Sequence, residues 1–295
     1  MGNHVGRYNA NKTRTQVLGV KMNIYIVGDL HGNQNAVRNF YRNYIQNTPK
    51  ENEENWMICL GDFGANYYGD YRDRNFKKNL SRFPFKYFVI RGNHEQRPSI
   101  CAVREDGWIT DTMFDGKVMY ETSYPNIIYT ADEGGIYNFF GRKTLIIPGA
   151  YSVDKDYRLM MGWSWFPEEQ LAPHEMLNLE IEAEGQYFDF VFSHTCPYRY
   201  RPEDLFLRSI DQSKVDNTME IWMDNLHDKI TFGIWCFAHY HQDRIEAPHI
   251  EMFYHEIESL ESIEKRWNKY NSTNELDWWL PKGEKFYMFH QGGKE

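Results

Sequence analysis

From position 22 onward the chain alternates between short apolar runs and longer stretches with helical spacing. MNIYIV (22–27), NWMICL (55–60) and KYFVI (86–90) are compact runs bounded by polar residues, and each reads as a buried strand. From Gln34 to Ile45, Ala36, Val37, Phe40, Tyr41 and Tyr44 share one side, which predicts an amphipathic helix. A second, charged helix is predicted over 72–81. Between about 108 and 147 the period drops to two: GKVMYET, NIIYT, GIYNFF and KTLIIPG predict a run of antiparallel strands. After Pro167, Glu168 to Glu184 has helical spacing, and YFDFVFSH (187–194) is a further buried strand. Lys214 to Lys229 predicts a helix, TFGIWCFA (231–238) a strand, and RIEA and HIEMFYHEIES edge strands.

The ends of the chain differ from this pattern. Residues 1–21 are polar and aperiodic, which predicts a flexible tail. Residues 261–295 form an extension with a helix-like piece and an aromatic WWLP segment expected to dock on the body. No repeat or linker divides the remainder, so 22–295 reads as one α/β domain, α+β in some schemes.

Bulk properties narrow the function. The chain has 295 residues, 41% of them hydrophobic and 17% aromatic, enough for a sizeable core. Its net charge of −9 and pI near 5.7 disfavour a broad electrostatic grip on nucleic acid, while leaving a local basic cleft open. No run approaches the ~18 apolar residues of a membrane span. The start, MGNHVGRYNA, has neither an apolar signal core nor the Ser or Thr of a myristoylation signal. Cys59, Cys101, Cys196 and Cys236 lack metal-site spacing. These features lead to the expectation of a cytoplasmic, reduced protein with no membrane partner and no assigned oligomeric state.

Chemistry collects where the strands end. MNIYIV runs into GDLHG, with Asp29 and His31, and NWMICL into GDFG, with Asp62. KYFVI runs into RGNHE, with Asn93 and His94. FDFVF is followed by His194, and GIWCFA by HYH, with His239 and His241. In an open α/β sheet, ligands bind beyond the carboxyl ends of the strands, so these residues are expected to converge. Imidazoles, carboxylates and one amide oxygen, with no thiolate, suit Mn, Fe or Zn. Each triplet alone has a bland reading as a polar turn. Their succession after buried strands favours a metal site.

Taken together, GDLHG, GDFG, RGNHE, SHT and HYH resemble the successive motifs of the calcineurin-like metallophosphoesterases over about residues 22–245. PGAYSVDKDYR and GWSWFPEEQ resemble stretches of bacterial and bacteriophage members. The resemblance implies a two-sheet β-sandwich flanked by helices, with a dinuclear metal site at the strand carboxyl ends. By the same resemblance, Asp29, His31 and His241 would hold one metal and Asn93, His194 and His239 the other. Asp62 would bridge them, and His94 would face the substrate. Two divalent or transition metal ions are expected, Mn before Fe or Zn.

The sequence departs from the GDxxDR motif of the family's protein phosphatases, carrying Ala65 and Asn66 where that motif has Asp and Arg. This leaves the partner of His94 unassigned. Arg91, Arg97, Arg158 and Arg199 lie near motif loops and are candidate phosphate contacts. Tyr151, Tyr157, Trp163, Trp165 and Tyr198 are candidates to wall a cleft or stack on a base. The expected activity is hydrolysis of a phosphate ester by a metal-activated hydroxide. A phosphomonoesterase acting on a phosphoprotein, nucleotide or small ester is expected first. The alternatives are a phosphodiesterase or nuclease, and a non-catalytic scaffold.

Overall fold

A computed structural model describes residues 16–17, 20–46 and 52–273. The chain runs β1 (Gln16–Val17), β2 (Val20–Val27), α1 (Gln34–Phe40), β3 (Glu53–Cys59), α2 (Tyr71–Leu80), β4 (Lys86–Val89) and α3 (Pro98–Arg104). Five strands follow: β5 (Trp108–Met113), β6 (Gly116–Glu121), β7 (Ile127–Thr130), β8 (Gly135–Phe139) and β9 (Arg142–Ile147). Then come α4 (Lys155–Met160), α5 (Pro173–Ala183), β10 (Tyr187–Ser193), α6 (Thr218–Lys229) and β11 (Thr231–Phe237). The last elements are β12 (Arg244–Ala247), β13 (Ile250–Met252), β14 (Glu258–Ser259) and α7 (Leu260–Thr273).

The strands form two mixed sheets. One has the order β1-β2-β3-β4-β7-β6-β5, with β14 also on β2; the other has the order β12-β13-β11-β10-β9-β8. The centre of each is parallel: β2, β3, β4 and β7 in the first, β9, β10, β11 and β13 in the second. Strands covered on both faces should be largely apolar, and the middles of these are, with Thr144, Asp189 and Glu251 as buried polar exceptions. Ile26 lies opposite Ile58 and Ile58 opposite Phe88, and all three point into the space between the sheets. There they meet Phe190, Phe192 and Ile234. The alternate positions Met57, Cys59, Tyr87 and Val89 face outward against Ala36, Val37, Phe76 and Leu80 of α1 and α2. The second sheet turns Val191, Trp235 and Phe237 outward against α5 and α6. The fold is a β-sandwich flanked by helices, with Leu260, Ile263 and Trp267 of α7 joining the inter-sheet core.

Several elements differ from expectation. Val20 and Lys21 belong to β2, and Gln16–Val17 pairs with them, so the expected tail boundary at 21 falls inside a strand. Residues 1–15 and the WWLP segment lie outside the described residues. The expected antiparallel run splits between the sheets: β6 pairs with β7, but β8 leaves to pair with β9. Helix α5 starts at Pro173, not at Glu168, because proline suits a first turn and the Glu175 carboxylate accepts the Ala172 N–H at 2.7 Å. Helix α4 carries no apolar stripe to reveal it: Leu159 and Met160 are exposed and Arg158 is buried. Among the described residues, no helix is long and apolar enough to cross a membrane.

Candidate metal centre

Both sheets end their parallel strands at one place, and the loops there are cross-tied. His31 N–H donates to the Asp62 carbonyl at 2.7 Å, and Gly32 N–H to Phe63 at 3.0 Å. His194 N–H reaches the Ile147 carbonyl at 3.2 Å, and Ala238 N–H reaches the His194 carbonyl at 2.9 Å. Several of these loop residues occupy the left-handed region, uncommon for residues with a side chain. They are His31 (φ 45°), Asp62 (φ 46°), His239 (φ 71°) and His241 (φ 56°). Backbone strain of this kind persists where the surroundings enforce it.

The loops bring seven of the expected side chains to one point: Asp29, His31, Asp62, Asn93, His194, His239 and His241. Asp29 and His194 are fully buried, and Asp62 and Asn93 nearly so. Asp29 accepts the His239 N–H at 3.0 Å and lies 3.6 Å from His194 Nδ1. Asp62 Oδ1 accepts the His94 N–H at 2.8 Å. Its Oδ2 faces His194 Nε2, His31 Nε2 and His94 Nε2 at 3.5, 3.8 and 4.0 Å. The Nε2 atoms of His31 and His241 are 3.0 Å apart, and the rings of His194 and His239 have centroids 5.0 Å apart. Donor atoms of His31, Asp62 and His94 lie within 4.8 Å of one another, as do those of Asp29, Asp62 and His194.

The donor set fits a cation. His194 Nδ1 is 2.8 Å from the Leu60 carbonyl, which accepts only, so Nδ1 carries a proton. Its Nε2 then faces Asn93 Oδ1 at 2.9 Å and Asp62 Oδ2 at 3.5 Å, two acceptors that point at the same spot. Such convergence asks for a proton or a metal between the atoms. Without metal, burial alone would lower His194, but Asp62 and Asp29 outweigh it and push the imidazole up to about 9. Burial raises Asp29 well above the usual carboxylate range, whereas the surrounding imidazoles overcome burial and hold Asp62 well below it. Burial pushes His31 and His241 down to about 4, leaving both rings neutral near pH 7, as ligands must be.

His94 sits on the rim. Its ring stacks over Tyr67 with centroids 6.0 Å apart and lies 5.1 Å from the His31 ring. Ala65 supplies no carboxylate, and the neighbouring Glu95 does something else. It is buried and accepts the Gly64 N–H at 2.9 Å and the Gly92 N–H at 3.4 Å, bracing the two loops that carry Asp62 and Asn93. Ser152 is a second brace that motif reading missed. Its Oγ accepts from Asn93 Nδ2 at 2.8 Å and bonds to the Glu169 carboxylate and the Arg158 guanidinium.

Each of the expected phosphate-contacting arginines makes contacts within the protein, and Arg158 also bonds the Ser152 brace. Arg91 is buried and donates to the Glu169 carbonyl at 2.7 Å. Arg97 pairs with Glu175 at 2.9 Å, and Arg199 pairs with Asp224 and Asp228, each at 2.8 Å. Arg158 is fully buried beside Asp154 at 3.0 Å. A cleft of about 430 Å³ opens over Asp62, Asn93, His94, His239 and His241, and the arginine on its wall is Arg201. Of the expected aromatic residues, Tyr151 lines this cleft. Tyr198 lies under the Arg201 guanidinium at 3.6 Å, Tyr157 and Trp163 are exposed, and Trp165 carries Lys155 at 4.0 Å.

Comparison with known proteins agrees with the geometry. The family model for calcineurin-like phosphoesterases matches residues 22–243. No curated protein matches the chain. Sixteen chains of solved structures do. One is a phosphopantetheinyl hydrolase from Mycobacterium tuberculosis, 13% identical, with a TM-score of 0.44 over 88% of this chain and 95% of that one. The fold, the strand-end donor cluster and a family match over most of the chain lead to one conclusion: this chain belongs to the calcineurin-like phosphoesterases, metal-dependent phosphoester hydrolases.

Proposed function

We propose that the chain hydrolyses a small phosphate monoester. The observation that carries this is the cleft: about 430 Å³, walled on one side by the donor cluster and on the other by Leu205, Phe206, Ile210 and Val215. That volume suits a small molecule. Among the described residues its wall carries one arginine and no lysine, which does not make the basic track a polynucleotide backbone needs.

In this reading Asp29, His31 and His241 would hold one cation, and Asn93, His194 and His239 the other, with the Asp62 carboxylate available to both. The nitrogen and oxygen donors suit manganese, iron or zinc, and manganese is the ion the family resemblance puts first. When bound, the cations supply Lewis acidity, neutralising phosphoryl charge and acidifying water. The protein's own groups do the rest. Asp62 Oδ1 fixes the His94 backbone, and the imidazole on the rim, kept neutral because burial lowers its pKa, gives its N–H as a hydrogen bond to the leaving oxygen. The apolar wall excludes water from the leaving-group side.

Turnover of p-nitrophenyl phosphate in added Mn²⁺ should exceed that of bis-p-nitrophenyl phosphate by about ten-fold, or 1.4 kcal/mol of transition-state discrimination. A diester turned over as fast or faster would sink the monoesterase reading.

Ser152→Ala tests the brace. Asn93 would keep its place in the chain but lose the hydroxyl that orients its amide. Removing a partner that orients a ligand costs about 10–100-fold in metal affinity or activity. The variant should show that loss in kcat/KM for p-nitrophenyl phosphate, with a raised Mn²⁺ half-saturation. Unchanged metal dependence would remove Ser152 from the site.

A further inference from the structure

The side of the cleft away from the donor cluster has its own chemistry. It is built by the segment between β10 and α6, which folds over Tyr240, the residue between His239 and His241. Phe206 stacks on Tyr240 with centroids 6.3 Å apart and planes inclined 23°. The Arg201 guanidinium lies 5.5 Å over Phe206 and is tied to Asn217 Oδ1 at 2.7 Å, so this wall is held in shape.

At its base lies Glu220, 4% exposed, at the start of α6. Glu220 lines the cleft. One carboxylate oxygen accepts the Thr195 hydroxyl at 3.1 Å, and Thr195 in turn is 3.1 Å from the Tyr240 hydroxyl. A hydroxyl has one proton, so if Thr195 gives its own to Glu220, the Tyr240 proton points to Thr195. The chain of hydrogen bonds therefore ends on Glu220. Its Oε2 is buried and has no hydrogen-bond partner among the described residues. A buried acceptor left open in this way is costly and calls for a donor. Burial also pushes the carboxyl up to about 7, a penalty that a bound N–H would relieve.

We propose that this half of the cleft is a nucleobase subsite and that the substrate is a nucleoside monophosphate. The base lies along Phe206 and Tyr240 and gives an edge N–H to Glu220 Oε2, while its phosphate reaches the donor cluster. A base combines a flat apolar face with N–H groups on its edge, which is the pair of features the wall and Glu220 present. Glu220 and Phe206 then determine specificity. The proposal rests on the monoesterase reading above.

Three substrates separate the contributions: ribose 5-phosphate, purine riboside 5′-monophosphate and guanosine 5′-monophosphate. The first has no base, the second has a ring without an edge N–H, and the third has both. In the wild type, kcat/KM should rise about ten-fold with the ring and about ten-fold again with the donor. Glu220→Leu should erase the second step, and Phe206→Ala should shrink the first. Three substrates within about two-fold of one another would overturn the subsite while leaving the monoesterase reading intact. If no phosphate ester is turned over, that reading falls, and binding decides the subsite. Saturation-transfer NMR should then show guanosine bound more tightly than purine riboside, and more weakly by Glu220→Leu. Equal binding or none would overturn the proposal. If Glu220→Leu fails to fold, the wild-type series and Phe206→Ala decide.

Discussion

Asp62→Asn should lower hydrolysis of p-nitrophenyl phosphate by at least ~10³-fold, the upper range for losing one preorganised electrostatic group. The fold should survive. Asparagine is enriched among residues with positive φ, so the φ of 46° at this position remains tolerable. Its carbonyl oxygen can still accept the His94 N–H that Oδ1 accepts now. The change falls on the other atom. Oδ2 is the oxygen that faces His194, His31 and His94 at 3.5–4.0 Å, and an amide there brings two hydrogens and no charge. A cation shared at that point loses its anionic partner. Metal content per chain should therefore fall, while the melting temperature of the metal-free protein shifts by only a few degrees. A variant within about ten-fold of wild type under saturating Mn²⁺ would show that Asp62 does not stand between the cations.

The convergence of the candidate metal donors was legible in the sequence because its chemistry is local. Each donor follows a buried strand directly, and a parallel strand pair delivers such residues to the same edge whatever the loops do. The supporting contacts were not legible, because they join distant parts of the chain. Arg97 lies beside the GNH motif, yet it turns to Glu175, 78 residues away. Arg199 follows the SHT motif, but it is taken by two acids one helical turn apart on α6. Nearness to a motif says nothing about which way a long side chain points, and the nearest buried or paired carboxylate decides. Glu95 was visible within GNHE, but its function as a brace follows only from Gly64 and Gly92 folding over it. The departure of β8 to the second sheet left no periodic signal either. Both sheets use the same alternation, and the Gly134–Gly135 pair (φ 79° and 147°) marks the crossing. At Gly134 an added Cβ would lie 2.3 Å from the Ile146 carbonyl oxygen.

Gly61→Ala should be among the most damaging single-methyl changes at the site, costing about 3–5 kcal/mol from backbone strain plus overpacking. Gly61 has a φ of 115°, a conformation L residues rarely adopt. A Cβ there would stand 2.0 Å from His194 Nδ1 and 2.5 Å from Cγ. The imidazole has little room to retreat: Leu60 holds one nitrogen at 2.8 Å, and Asn93 Oδ1 lies 2.9 Å from the other. Either His194 leaves the cluster or the end of β3 shifts, and both displace Asp62 next door. Gly69 separates strain from collision. It also has positive φ (66°), but an added Cβ meets nothing within 4 Å. Gly69→Ala should therefore cost only about 1–2 kcal/mol, the backbone share, and keep its activity. Thermal melts of the two variants, beside p-nitrophenyl phosphate turnover, make the comparison. Gly61→Ala should melt about 5–10 °C below Gly69→Ala, at ~2–4 °C per kcal/mol for a chain of this size. Equal melting, with activity retained in both, would mean that the His194 ring does not lie against Gly61, and the proposed second metal position would lose the contact that fixes it.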